Sequence, residues 1–328
     1  MVVGTWDQSQ VAIFGQGAGG NSVNLVSAGQ VADASLTASG GVGTITAGSW
    51  QAGKVEATTV GSAVIRGNAA LDMTLSGQNR AGNSLTAFTV LGDVTGSVLD
   101  LTGAASVINV RSWTGGSIRA RYLSSLIVTR GAFGAEVNLT AQNAAGNSLN
   151  LLSVAGTVNS ATITLAGGVG SISAGAWAAT QLTTRNAATF ISRGDFTGNV
   201  SLTGQSAAGQ SLSLLSVHGE MTGAAVRARG GIGMAMIGSM RGSDLYVCML
   251  DAADAMPAAG TTAGQFFQAP LVANRTPSIG TFMITRPAGV FEDSVVAAPS
   301  MGTVILRGVD TDNAGTAFGL VADTKINM

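Results

Sequence analysis

The feature that most constrains this chain is a self-similarity that recurs over a long, nearly constant interval. Gly82-Asn83-Ser84-Leu85 returns as Gly146-Asn147-Ser148-Leu149 and as Gly209-Gln210-Ser211-Leu212. An earlier copy is Gly20-Asn21-Ser22-Val23, so the marker opens at positions 20, 82, 146 and 209. That is a period of roughly 63 residues, long enough for several stacked turns of chain. Trp50, Trp113 and Trp177 keep the same beat, with Met240 in the next place. So do Arg66, Arg130 and Arg193, each followed by glycine. Three independent markers on one period describe a unit that closes its core only against its neighbours.

Each long repeat subdivides. In the third, LLSVAGTV, GSISAGAW and FISRGDF place Gly156, Gly175 and Gly194 at equal intervals, and Gly219 follows after a longer one. The extra residues fall in the polar loop Gln205-Ser206-Ala207-Ala208-Gly209-Gln210. Period-two alternation and β-branched residues predict short strands, and frequent glycine opposes helices. Equivalent strands so spaced must run the same way, pairing each with its copy in the next turn of chain. The expectation is all-β: a parallel β-solenoid (β-helix) with coils of about 19–25 residues, grouped in the long repeats. Two three-stranded coils of about 31 residues per repeat fit the same spacing. Regular repeats are expected over 1–250. An irregular continuation is expected over 251–328, where all five prolines lie between Pro257 and Pro299. There DAADAMPAAGTTAGQFFQAPLVANRTP reads as an excursion loop or cap, and strands resume at SIGTFMITR, DSVVAAP, MGTVILRG and FGLVAD.

Composition removes several classes. Hydrophobic residues make up 46% of the chain, too many for a disordered tail, and the 47 glycines lack a collagen period. The formal net charge is −1, and Lys54 and Lys325 are the only lysines, so nucleic-acid binding lacks its phosphate-neutralising face. One cysteine, Cys248, permits no internal disulfide. The opening MVVGTWDQSQ has no signal-peptide character. Val137 to Thr184 is free of charge, but polar residues and glycine interrupt it too often for a transmembrane helix. Aromatic girdles of a membrane barrel are missing.

The style GTVxxSxITxxGGVGSIxAGxW, with the ending MGTVILRGVDTDNAGTAFGLVAD, resembles repeat regions of very large exported bacterial β-helix proteins, of the autotransporter-passenger and filamentous-adhesin kind. That resemblance covers most of the chain. It implies a parallel β-helix at the cell surface or outside the cell, and it carries no catalytic residue across.

The candidate chemistry is sparse. His218, the sole histidine, stands where other repeats have Ala28, Leu91 and Ala155, and Glu220 is its nearest acidic neighbour in sequence. It reads as a surface or turn residue, because a nucleophile–base pair needs more. Cys248, in LYVCML, reads as an inert buried thiol on an apolar strand. His and Cys are too few for zinc. Asp310, Asp312 and Asn313 have a calcium-loop flavour, but Ala314 occupies a ligand place and no closing Glu follows. Asp93, Asp195 and Glu220 each follow a glycine in a different coil and would have to converge for lyase or glycosidase work. Thr162 and Thr164 are not continued as the threonine array of an ice-binding face. Trp50, Trp113 and Trp177 are corner fillers if buried and glycan platforms if exposed. Arg66, Arg130 and Arg193 are polyanion contacts or solvated turn residues; at about three coils' spacing their mutual repulsion is screened. No cofactor is expected. The sequence reading is therefore a non-catalytic extracellular structural or adhesive solenoid. Its partners would be further copies joined through the strand edges of the terminal coils, or neighbouring segments of a longer protein, and surface glycans. A glycan-binding or polysaccharide-processing β-helix is the alternative.

Overall fold

In the computed structural model the described residues are 1–248, 267, 276–312, 318–323 and 326–327. Among them there is no helix, hence none long and apolar enough to cross a membrane. The chain is all-β and forms two compact units, Met1–Gly167 and Gly168–Met328. The expected cap over 251–277 lies almost wholly outside the described residues.

Within the first unit the strands form two long parallel ladders. One contains Asn21–Ala32, Gly41–Trp50, Val60–Ile65, Asn83–Thr95, the amino-terminal half of Ala104–Ala120, Leu123–Val128 and Asn147–Asn159. The other contains Gln10–Ile13, Ala34–Ala38, Gly53–Ala57, Asp72–Leu75, Val98–Leu101, the carboxyl-terminal half of Ala104–Ala120, Phe133–Leu139 and Thr162–Leu165. Ile45 faces Ala63 across a short step of chain, and Leu126 faces Leu152 across a long one that includes a polar loop. The first is close to the shorter interval of the glycine series and the second to the longer one.

Alternation explains which side is core. In the first ladder Val26, Ile45, Ala63, Phe88, Ile108, Leu126 and Leu152 succeed one another inward, all buried. In the second, Leu36, Val55, Met73, Leu99, Ile118, Val137 and Ile163 do the same. A fully buried side chain of this size contributes about 1.5–3 kcal/mol, and the ladder bonds satisfy the backbone polar groups that come with it.

A third, short ladder carries the large aromatics. Its inward succession is Trp6, Val31, Trp50, Ala69, Val94, Trp113, Phe133 and Val158. Trp50 has Val31 and Ala69 beside it, which leave room for its width, whereas Trp113 lies between Val94 and Phe133. Trp6, which stands outside the tryptophan series, reaches across Val31 to meet Trp50 edge-on at 5.9 Å.

The Gly-Asn-Ser marker is a structural staple. Gly20, Gly82, Gly146 and Gly209 all have φ of 81°, a left-handed turn that selects glycine. Two positions on, the buried Ser84 hydroxyl donates to the Gly77 carbonyl and accepts from the Gly103 amide at 2.7 Å. Ser148 repeats this between Ala141 and Gly167, and Ser211 between Gly204 and Gly230. One hydroxyl thus ties each protruding loop to the next rung.

In the second unit Gly168–Thr184, Ala187–Ser192, Gln210–Thr222, Gly231–Arg241, Ser278–Ile284 and Ser300–Ile305 form the equivalent parallel ladder. Ala235 lies directly opposite Phe282, so the intervening chain leaves the ladder and returns to it in register. Trp177, Phe196, Met221, Met240 and Phe291 form the aromatic column there, with Met240 in the tryptophan's place.

Candidate functional site

Where the first ladder bends toward the aromatic column, glycines stack. In the first unit they are Gly4, Gly29, Gly48, Gly67, Gly92, Gly131 and Gly156. A Cβ on Gly29, Gly48 or Gly156 would stand under 3.0 Å from the carbonyl oxygen of the glycine one rung before. The corner therefore selects glycine by close approach, whatever the backbone angle.

One rung departs from the rule. Between Gly92 and Gly131 the place belongs to Arg111, which stands where Gly48 and Gly175 stand in the neighbouring repeats. The register slips there, because Val110 pairs with Val90 and Ser112 with Asp93, so Leu91 and Gly92 together oppose Arg111. Bulges of this kind re-aim a side chain. The Arg111 carbonyl accepts from both the Arg130 and Gly131 amides, at 3.1 and 2.9 Å.

The result is a shallow groove of about 340 Å³ lined by Val90, Leu91, Asn109, Arg111, Thr129 and Arg130. Leu91 is 61% exposed, although its repeat counterpart Ala28 is buried. The Arg111 guanidinium lies 3.7 Å from Asp93. Asp93 is itself held by the Ser112 hydroxyl, which donates to it at 2.6 Å, while its amide donates to the Asn68 side chain at 3.0 Å. Arg130 is exposed and makes no ion pair among the described residues.

The sequence-derived arginines fare differently. Arg130 lines the groove. Arg66 sits on the same corner, just before Gly67, whose carbonyl accepts from the Gly92 amide. Arg193, in the second unit, donates to the Ser173 hydroxyl at 3.1 Å. Arg111 was missed because it is off the arginine series. The signal that could have found it is the break it makes in the glycine series.

The three tryptophans offer no ring to a sugar. Trp50, Trp113 and Trp177 are at most 1% exposed, so the glycan-platform reading is withdrawn in favour of core filling. Trp113 donates its indole N–H to the Gly115 carbonyl at 2.9 Å, whereas the buried N–H groups of Trp6, Trp50 and Trp177 have no acceptor among the described residues.

Of the carboxylates, Asp195 and Glu220 are neighbours: the Glu220 amide donates to Asp195 Oδ1 at 2.8 Å. Glu220 accepts from the Thr222 hydroxyl at 2.8 Å and lies 3.6 Å from Arg241, which also pairs with Glu292. These contacts brace one surface strip. Asp93 belongs to the other unit. Thr162 and Thr164 are exposed, but the rung beneath presents Glu136 and Asn138.

His218 is exposed beside the buried Gly219. Cys248 is buried as expected, but it lies just past the strand Asp244–Val247, with φ of 57°. The Arg229 guanidinium donates to its sulfur at 3.3 Å. Burial pushes the thiol pKa up, against the opposing pull of Arg229. Asp310 accepts from the Asp312 amide at 3.0 Å, a local turn, and Asn313 lies outside the described residues. Among the described residues no three metal-binding side chains cluster.

A second groove, of about 330 Å³, lies on the second unit between Gln181, Thr183, Asn199, Ser201 and Arg227. Arg227 sits 5.2 Å from the centre of the Tyr246 ring. Both grooves are shallow and lined by a mixture of hydrogen-bonding and apolar residues. No family model matches the chain, and neither does any curated protein or solved structure.

Proposed function

We propose that both units are stretches of a parallel β-solenoid, with coil lengths given by the spacing of ladder partners along the chain, and that the chain is a non-catalytic structural or adhesive spine outside the cell. The observation that carries this reading is the strand register. Each rung sits directly over the last in three ladders, so the backbone that carries the inward apolar side chains is hydrogen-bonded from rung to rung. Such stacking gives stiffness without a closed globular core. The resemblance to exported bacterial β-helix repeats supports placing the chain at the cell surface. Self-association through terminal coils is part of the same proposal, since an unpaired strand edge is one that another chain can extend.

Negative-stain electron microscopy of the purified chain over a concentration series tests it. Narrow elongated particles are expected, lengthening with concentration if edges pair. Compact globules at every concentration would sink the solenoid reading. Elongated particles of constant length would remove end-to-end pairing and leave the spine.

A further inference from the structure

We propose that the Leu91–Arg111–Arg130 groove binds a carboxylate-bearing polysaccharide, taking one sugar carboxylate between the two guanidinium groups. The inference deepens the adhesive reading and rests on it only for the choice of ligand.

Four observations carry it. First, Arg111 breaks the chain's own repeat, since Gly48, Gly175 and Gly238 stand in its place, and Leu91 is the one large apolar residue at a place that otherwise holds Ala28, Ala155 and His218. Both meet in one groove. Second, the Arg111 carbonyl accepts from the Arg130 amide at 3.1 Å, so the two residues come from neighbouring rungs, and both line the groove. Two forked guanidinium donors on one groove suit the planar oxygens of a carboxylate. Third, Asp93 lies 3.7 Å from Arg111 and offsets one of the two positive charges. The balance of one positive charge favours a monoanion over a phosphate dianion. Fourth, Asn109 adds an amide, the Thr129 hydroxyl, which donates to the Val110 carbonyl at 3.2 Å, adds an acceptor, and Leu91 adds apolar surface beside them, a combination suited to sugar hydroxyls and ring C–H groups.

An acidic peptide fits less well. Peptides dock on sheets by adding a strand to an open edge. The strands around the groove, Asn83–Thr95, Ala104–Ala120 and Leu123–Val128, are already paired on both sides.

The test is titration of the full chain with polygalacturonate, its fully methyl-esterified form and poly-glutamate, at low and physiological salt. Polygalacturonate is expected to bind, and the ester to lose that binding. Arg111→Gly restores the residue of the sister repeats and should fold with an unchanged melting curve. It should weaken polygalacturonate at least about tenfold, and Arg130→Gln should weaken it comparably. Asp93→Gln, which installs the residue found at Gln30 in the first repeat, should tighten it severalfold by releasing Arg111. The proposal is overturned if polygalacturonate does not bind, if the ester binds equally, or if Arg111→Gly leaves affinity unchanged. Poly-glutamate binding as tightly, with the same loss in Arg111→Gly, would assign the groove to acidic peptides instead. Any of these failures would leave the microscopy untouched, so the two readings fall separately.

Discussion

The first unit carries two outward faces on one core, and they differ in kind. Outward from the first ladder stand Thr44, Ser62, Ala87, Val107, Ser125 and Leu151, alternating with Thr46, Val64, Thr89, Asn109, Ile127 and Ser153. None is charged. Outward from the second ladder stand Lys54, Glu56, Asp72, Asp100, Arg119 and Glu136. Those charges are placed by sign: Lys54 faces Asp72 and Asp100 faces Arg119, while Glu56 faces Thr37 and Thr74. The inward columns of the two ladders are nearly interchangeable in residue type, so the core does not explain the difference. Identical backbone has been given one solvated, sign-matched face and one smooth face. The arginine groove opens at the corner where the smooth face ends.

The comparison can be broken from the inside outward. If the faces share one core, Ile108→Ala under the smooth face and Ile118→Ala under the charged face should cost alike, each about 2–5 kcal/mol in urea unfolding. Both are fully buried, and a loss confined to one would mean separate cores. At the glycine corner, Gly48→Ala should cost about 1–3 kcal/mol, because its Cβ meets the Gly29 carbonyl with nothing flexible to yield. Gly4→Ala, with nothing within 4 Å, should cost little, and equal losses would reject the close-approach argument. On the charged face, Asp100→Arg sets like charges opposite at Arg119 and should cost roughly 0.5–1 kcal/mol, shrinking as salt is raised. Ser125→Arg, opposite Val107 and Leu151, should show no such salt dependence; if it does, sign matching is not what separates the faces. The smallest effect is expected for Ile127→Ser on the smooth face, about 0.5 kcal/mol or less in stability. Its readout is light scattering at high salt, where reduced association would mark that face as the adherent one.

Much of the fold was legible because a repeat tests every local reading several times. The intervals between glycines 156, 175, 194 and 219 carry the rung spacing, and the Gly-Asn-Ser marker falls on a loop that is stapled in each copy. Met240 in the tryptophan series pointed to burial, since a polarizable aliphatic replaces a packed indole more readily than a sugar platform. The same reliance on regularity hid the groove. Arg111 is visible only as the missing glycine of its series, and Asp93, Leu91 and Arg130 belong to other segments that become neighbours only once the rungs stack.

By itself the sequence determined strand type, direction and spacing, because alternation, glycine and period are local properties summed along the chain. It could not decide which outward residues share a face, that Trp6 meets Trp50 across Val31, or that the carboxyl-terminal strands rejoin the ladder opposite Gly231–Arg241. Those depend on register between segments far apart in the chain, as Ile45 is from Ala63 and Ala235 from Phe282, and a single-residue slip would turn every side chain to the other face. Only the stacked ladders fix that register, through the combined packing of the inward columns.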